Sequence, residues 1–290
     1  MSKAIQLWIV TDAKPGHINQ SLGLAEALKR QVPNLNWQEI PAMSMWQAIR
    51  FALKQNKNTL KPDLIIGAGH RTHLTLLLLS KIMTVASIVL MKPSLPNSWF
   101  DLVIIPEHDS PGDHTNIIAS KGALNRVQAG RKESNTGLFL IGGPSKHFGW
   151  DPQALSATVQ SIVQESPLDW DLTTSRRTPE GTLTKLQPIE NIEINPYSKT
   201  DSNWLPTMLS KTEVCWVTED SVSMIYEALS AGCQVGLIKI PHVKESRLTI
   251  GIEKLEQSGY LMRSTGDKTN KITLAEADRC AALVQQRFLT

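Results

Sequence analysis

Asp12-Ala13-Lys14-Pro15-Gly16-His17, with Gln20 one turn further on, puts a carboxylate, a cation and an imidazole into one short stretch. A carboxylate beside an imidazole suits proton transfer, and a glycine-bearing turn that runs into a helix offers backbone N–H groups to an anion. The same residues also fit a plain turn in which Asp12 satisfies neighbouring N–H groups. Gly67-Ala68-Gly69-His70-Arg71 follows a second apolar run. Arg71 can grip a phosphate or carboxylate through two parallel hydrogen bonds, or sit in a surface ion pair. Pro106-Glu107-His108-Asp109 collects three titratable groups, enough for a general base at His108 or simply for a turn cap. One such cluster without a further ligand group does not define a metal site, and neither a metal nor another cofactor is expected.

Three more segments lie in the second half. Ile141-Gly142-Gly143-Pro144-Ser145-Lys146 joins two glycines, a hydroxyl and a cation. The N–H groups of Gly142 and Gly143, with Ser145 and Lys146, can hold a diphosphate, although the spacing is not that of a Walker loop. Thr173-Thr174-Ser175-Arg176-Arg177 places hydroxyls ahead of paired arginines. In Thr218-Glu219-Asp220-Ser221-Val222-Ser223, Asp220 or Ser221 can cap the helix that follows, while Ser221 and Ser223 can equally face a phosphate. Glu227, two turns into that helix, can bind ribose hydroxyls.

Something must hold these segments at comparable places, and the hydrophobic pattern says what. Short apolar runs at 5–10, 63–67, 87–91, 101–105 and 115–119 read as strands, with helical spacing through Ile18, Leu22, Ala25 and Leu28 and again over 44–55. The polar stretch 126–136 reads as a linker. The alternation then resumes with strands at 137–141, 168–173, 212–218 and 234–240, and with helices at 151–165 and 221–231. The expected architecture is α/β, two Rossmann-like domains facing a cleft: an N-terminal domain over 1–130, a C-terminal one over 131–270, and a last helix over 271–290 that can cross back to the first. Every candidate segment then sits at the end of a strand, where open α/β sheets bind ligands.

Composition narrows the partners. The 290 residues carry 30 Lys and Arg against 27 Asp and Glu, scattered without the basic runs of a nucleic-acid arm, so no nucleic acid is expected. Three cysteines, widely spaced, fit reduced buried thiols better than a disulfide framework. No apolar window is long enough to span a bilayer and no signal-peptide pattern is visible, which points to a cytoplasmic protein.

Taken in order, Asp12-x-Lys14-Pro15-Gly16-His17-x-x-Gln20, Gly69-x-Arg71-Thr72, Pro106-Glu107-His108-Asp109, Gly142-Gly143, Ser175-Arg176-Arg177-Thr178-Pro179 and Thr218-x-Asp220-Ser221-Val222-Ser223-Met224 resemble the mitochondrial-fission family of elongated-mitochondria (ELM) type. Its bacterial members are assigned as GT-B glycosyltransferases. The resemblance implies a donor nucleotide sugar held by the C-terminal half through Gly143, Ser145, Arg176, Arg177, Asp220, Ser221, Ser223 and Glu227. Asp12, His17, Arg71 and His108 would serve a hydroxyl-bearing acceptor. It implies His17 or Asp12 as the base, with Arg176, Arg177 and Lys146 stabilising the leaving diphosphate without a metal. Ala13 departs from the glycine usual in the family. A role in surface polysaccharide or lipopolysaccharide assembly, with peripheral attachment at the inner membrane through a lipid-linked acceptor, also follows from the resemblance. The alternative is a non-catalytic nucleotide-binding or scaffold protein related to the fission factors. An NAD-dependent epimerase ranks below both, because G-x-G-x-x-G and Tyr-x-x-x-Lys are missing.

Overall fold

The computed structural model describes residues 4–56, 61–201, 203–244, 247–267, 269 and 273–289. In chain order the first elements are β1 (Ile5–Thr11), α1 (Pro15–Gln31), β2 (Leu35–Pro41), α2 (Met45–Asn56), β3 (Leu64–Ala68), α3 (His73–Met83), β4 (Ala86–Leu90), β5 (Leu102–Pro106) and β6 (Ile117–Ser120). Then come β7 (Thr136–Ile141), α4 (Pro152–Glu165), β8 (Asp169–Thr174), α5 (Glu180–Leu186), β9 (Ile192–Asn195), α6 (Trp204–Lys211) and β10 (Val214–Thr218). The chain continues through α7 (Val222–Ala231), β11 (Gln234–Ile238), α8 (Arg247–Gln257), β12 (Leu261–Met262) and α9 (Glu276–Phe288). Contacts divide these into two compact units, one comprising 1–126 with 275–290 and the other 127–274. The boundary expected at 270/271 falls outside the described residues.

Each unit is built on one six-stranded parallel sheet. In the first the order is β2-β1-β3-β4-β5-β6, and in the second β12-β11-β10-β7-β8-β9. The architecture is therefore α/β, and in each sheet the chain reverses its direction of winding once, between β1 and β3 and between β7 and β10. Crevices at such reversals, beyond the carboxyl ends of the strands, are where doubly wound sheets take ligands.

Side-chain alternation supplies both faces of each sheet. Leu7 and Ile9 of β1 join Leu24 and Leu28 of α1 on one side, whereas Trp8 and Val10 join Leu76 and Leu79 of α3 on the other. In the second sheet Leu138 and Leu140 pack with α7, and Phe139 and Ile141 with α4. Helix starts follow local rules: Pro15 opens α1, and Asp151 accepts hydrogen bonds from Gln153 and Ala154 ahead of α4. The structure adds β2, which the sequence pattern does not reveal. β2 is an edge strand paired only with β1, and Asn36, Trp37, Gln38 and Glu39 are all exposed, so the usual alternation is lost.

α9 packs on α1, burying Cys280, Ala281 and Val284 in the same core as Leu24 and Leu28. No helix among the described residues is long and apolar enough to cross a membrane. Because Val284 is fully buried, Val284→Ala is expected to cost about 1–3 kcal/mol, seen as a lower urea midpoint for the first unit with an unchanged slope.

Candidate functional site

At the winding reversal of the first sheet, the turn after β1 brings Asp12 and His17 together. His17 Nδ1 lies 3.0 and 3.1 Å from the two carboxylate oxygens of Asp12, whose side chain is only 1% exposed. The Lys14 N–H donates to Asp12 Oδ1 at 3.3 Å. Burial alone would raise the Asp12 pKa, but the hydrogen bonds from His17 and from the Lys14 backbone, with their positive charge, hold it below the ordinary carboxylate value. Ala13 adopts φ 62°, a left-handed conformation that explains why a glycine is favoured there.

The His17 ring rests directly on Gly69, where φ is +88° and a Cβ would collide with the imidazole. The turns after β1 and β3 therefore fit each other through a glycine. Gln20 is buried and its amide donates to Met91 Sδ at 3.3 Å, beyond the end of β4. Lys14, Gly16 and Arg71 are exposed, and a Cβ on Gly16 would meet nothing. His108 is half-buried in the short turn after β5. Among the described residues no group of three or more His, Cys, Asp or Glu side chains could hold a metal ion.

Sequence reasoning passes over His73, the first residue of α3, because it opens an apolar helix. It is buried, and its Nδ1 faces both the Ser94 hydroxyl at 3.0 Å and the Ser94 N–H at 3.3 Å. Burial, reinforced by the neighbouring His70 and His17, lowers its pKa to about 4, so it is neutral at physiological pH. Its signal in the sequence is the Gly69-His70-Arg71-Thr72 turn directly before it.

At the reversal of the second sheet one carboxylate organises three loops. Asp220 follows β10, is fully buried, and through Oδ2 accepts from the Gly143 N–H at 2.9 Å and from Arg177 Nη2 at 2.8 Å. Arg177 Nη1 donates to the Gly143 carbonyl at 2.8 Å, and Thr178 Oγ1 bonds the Gly142 carbonyl. The Gly142 N–H donates to Thr218 Oγ1 at 2.7 Å. A Cβ on Gly142 would strike the Asp220 carboxylate, and one on Gly143 the Arg177 backbone. These contacts correct the expectation drawn from the double glycine: both N–H groups are committed inside the protein, and the glycines make room for Asp220 and Arg177. Arg177 likewise spends both terminal nitrogens on the loops it joins.

What this framework leaves open is the start of α7. Ser221 occupies the N-cap position, yet its side chain makes no capping hydrogen bond; Ser223 in the first turn is exposed. Asp220 Oδ1 is buried without a hydrogen-bond partner among the described residues. Ser145 accepts from the N–H groups of His147 and Phe148 and so closes its own loop, with Lys146 exposed beside it. Arg176 is exposed and lies over the Tyr197 ring, 5.6 Å from its centroid. Glu227 is half-buried on α7. Glu219, unremarked in the sequence, is buried and accepts from the Ile240 N–H at 2.8 Å and from His242 Nε2 at 3.0 Å, pinning the loop after β11.

Two six-stranded parallel Rossmann-like units define a protein of the GT-B glycosyltransferase class of folds. Among solved structures the chain is similar to a candidate UDP-N-acetylglucosamine 2-epimerase from Listeria monocytogenes, at TM-score 0.60 and 15% identity over 98% of this chain and 88% of the other. It is similar to the glycosyltransferase SnogD from Streptomyces nogalater, at TM-score 0.53 and 12% identity, covering 99% and 96%. Anabaena HepE in complex with UDP-glucose matches at TM-score 0.50 and 11% identity, covering 98% and 95%. The chain belongs to the mitochondrial fission ELM1 family, which matches residues 15–288. An uncharacterized protein of Rickettsia prowazekii is 24% identical, over 87% of this chain and 88% of the relative.

Removing Arg177 strands a buried carboxylate. Arg177→Met is expected to destabilise the second unit by about 1–3 kcal/mol, and in an Asp220→Asn background by clearly less, which a double-mutant cycle in urea would register. Asp12 has a folded pKa below its unfolded one, so its stabilising contribution is fully present above the unfolded value of about 3.9 and is lost as pH falls through the folded value. Acid unfolding profiles of the wild type and Asp12→Asn should therefore converge at the acid end and separate above it.

Proposed function

We propose that this protein transfers a sugar from a nucleoside-diphosphate donor to a hydroxyl acceptor. The observation that carries this reading is the start of α7: a helix N-terminus without a side-chain cap, at the winding reversal of the second sheet, held in place by the buried Asp220 and Arg177. Such an end attracts an anion through its N–H groups and dipole, and a diphosphate fits it. Ser221 and Ser223 lie at that end, with Glu227 further along the helix for ribose hydroxyls. Arg176 and Lys146 are exposed cations available to the diphosphate. Arg177 acts as a positioning residue in this account. The UDP-glucose bound by the similar Anabaena protein supports a uridine nucleotide as the first donor to try.

On the first unit, His17 serves as the base. Asp12 orients its Nδ1, leaving Nε2 to take the acceptor's hydroxyl proton while that oxygen attacks the sugar carbon. The bond from that carbon to the diphosphate breaks, and the departing charge passes to the N-terminus of α7. No metal is assigned a step. Arg71 and His108 are assigned to acceptor recognition, and a lipid-linked acceptor would bring the protein to a membrane.

A second reading, a nucleotide-binding or scaffold protein, draws on an exposed apolar face that includes Trp46, 70% exposed. Thermal shift with UDP, GDP and CDP, followed by a sugar-transfer assay, separates the two. The enzyme reading predicts stabilisation by one nucleoside diphosphate, lost in Ser223→Asp, which sets a carboxylate where the phosphate would lie without disturbing the helix. It also predicts that His17→Ala keeps the shift but lowers kcat by about 10²–10⁴. Stabilisation without transfer to any acceptor tried would favour the second reading, and transfer unaffected by His17→Ala would count against the assignment of the base.

A further inference from the structure

α2 packs against α3, and the side it turns outward is unusual for a helix in a folded unit. Met45, Trp46 and Leu53 are 45%, 70% and 53% exposed, and Leu74 on α3 is 41% exposed. The two helix starts adjoin, because Thr75 Oγ1 accepts from the Met43 N–H at 2.8 Å and donates to the Met43 carbonyl at 3.1 Å. Met45, Trp46 and Leu74 thus lie at the same end of the pair. Arg50 and Lys54 are exposed on the same helix as Trp46 and Leu53 at i, i+4 and i, i+7 spacings, and Lys81 is exposed on α3. Neither α2 nor α3 contains a carboxylate.

Single exposed apolar side chains are ordinary, but this set is grouped, and no acidic side chain of either helix accompanies it. A second copy of the chain is a poor occupant, since an isologous contact would bring two copies of the same cationic face together with no carboxylate from either helix to offset them. Helices that lie in a membrane interface carry this mixture, a Trp and aliphatic residues beside Lys and Arg. We propose that the outward face of α2, with Leu74, docks on an anionic lipid bilayer, Trp46 and Leu53 entering the headgroup region while Arg50 and Lys54 pair with lipid phosphates. The inference stands apart from the sugar-transfer reading, because it uses none of the residues assigned to that site.

Co-sedimentation of the full chain with phosphatidylcholine vesicles, with and without phosphatidylglycerol, tests it. The wild type should bind the anionic vesicles preferentially and release as salt rises. Arg50→Glu with Lys54→Glu should lower partitioning about tenfold or more, given about fivefold per basic residue near an anionic surface. Trp46→Ser with Leu53→Ser should also lower it, at unchanged charge. These residues are exposed, so the melting temperature and the thermal shift by nucleotide should stay as in the wild type. Failure of the wild type to bind, equal binding to both vesicle types, or insensitivity to both double variants would overturn the proposal. So would reversible self-association lost in Trp46→Ser with Leu53→Ser, which would give the face to a second copy.

Discussion

The buried carboxylate of Asp220 is the contact on which the candidate donor site depends. Taking an ionised group out of water is costly unless it is paired and hydrogen-bonded, so whatever surrounds Asp220 must supply donors. The Gly143 N–H and the Arg177 guanidinium do so, and each comes from a different strand end. The carboxylate therefore fixes the loops after β7, β8 and β10 relative to one another. Two glycines follow as a steric consequence, because a side chain at either position would occupy the space of the carboxylate or of the arginine backbone. With those loops fixed, the first turn of α7 is presented without a side-chain cap at the one place in the sheet where the winding reverses.

The first unit repeats the logic with different chemistry. Its reversal lies between β1 and β3, and there a glycine again makes room, this time at Gly69 for the ring of His17. The ring is held by Asp12 on one side and supported by the turn on the other. A carboxylate–imidazole pair and a helix start without a side-chain cap are thus each built at a winding reversal, one per unit. This division matches the chemistry of sugar transfer, in which one partner must lose a proton and the other must release a diphosphate.

Much of this is legible in the sequence, for identifiable reasons. Buried parallel strands leave apolar runs, and the turns that follow them need glycine, hydroxyl and charged residues, so the segments at Asp12, Gly69, Gly142, Ser175 and Asp220 stand out. Roles are harder to read than places. Gly142 and Gly143 look like a phosphate cradle until the partner of each N–H is known, and the pairing of Arg177 with Asp220 spans 43 residues, beyond any local pattern. β2 escapes notice because an edge strand exposed on consecutive positions has no alternation to show. His73 escapes because a histidine opening an apolar helix looks like packing, although Ser94, 21 residues on, sets its hydrogen bonding.

Whether the N-terminus of α7 receives a donor diphosphate can be read from a crystal structure of the protein soaked with UDP or UDP-glucose. Phosphate oxygens are expected within hydrogen-bond distance of the first backbone N–H groups of α7, with the loops at Gly143, Arg177 and Asp220 unmoved. Diphosphate density at the end of the first sheet, or a nucleotide held without contact to α7, would contradict that expectation.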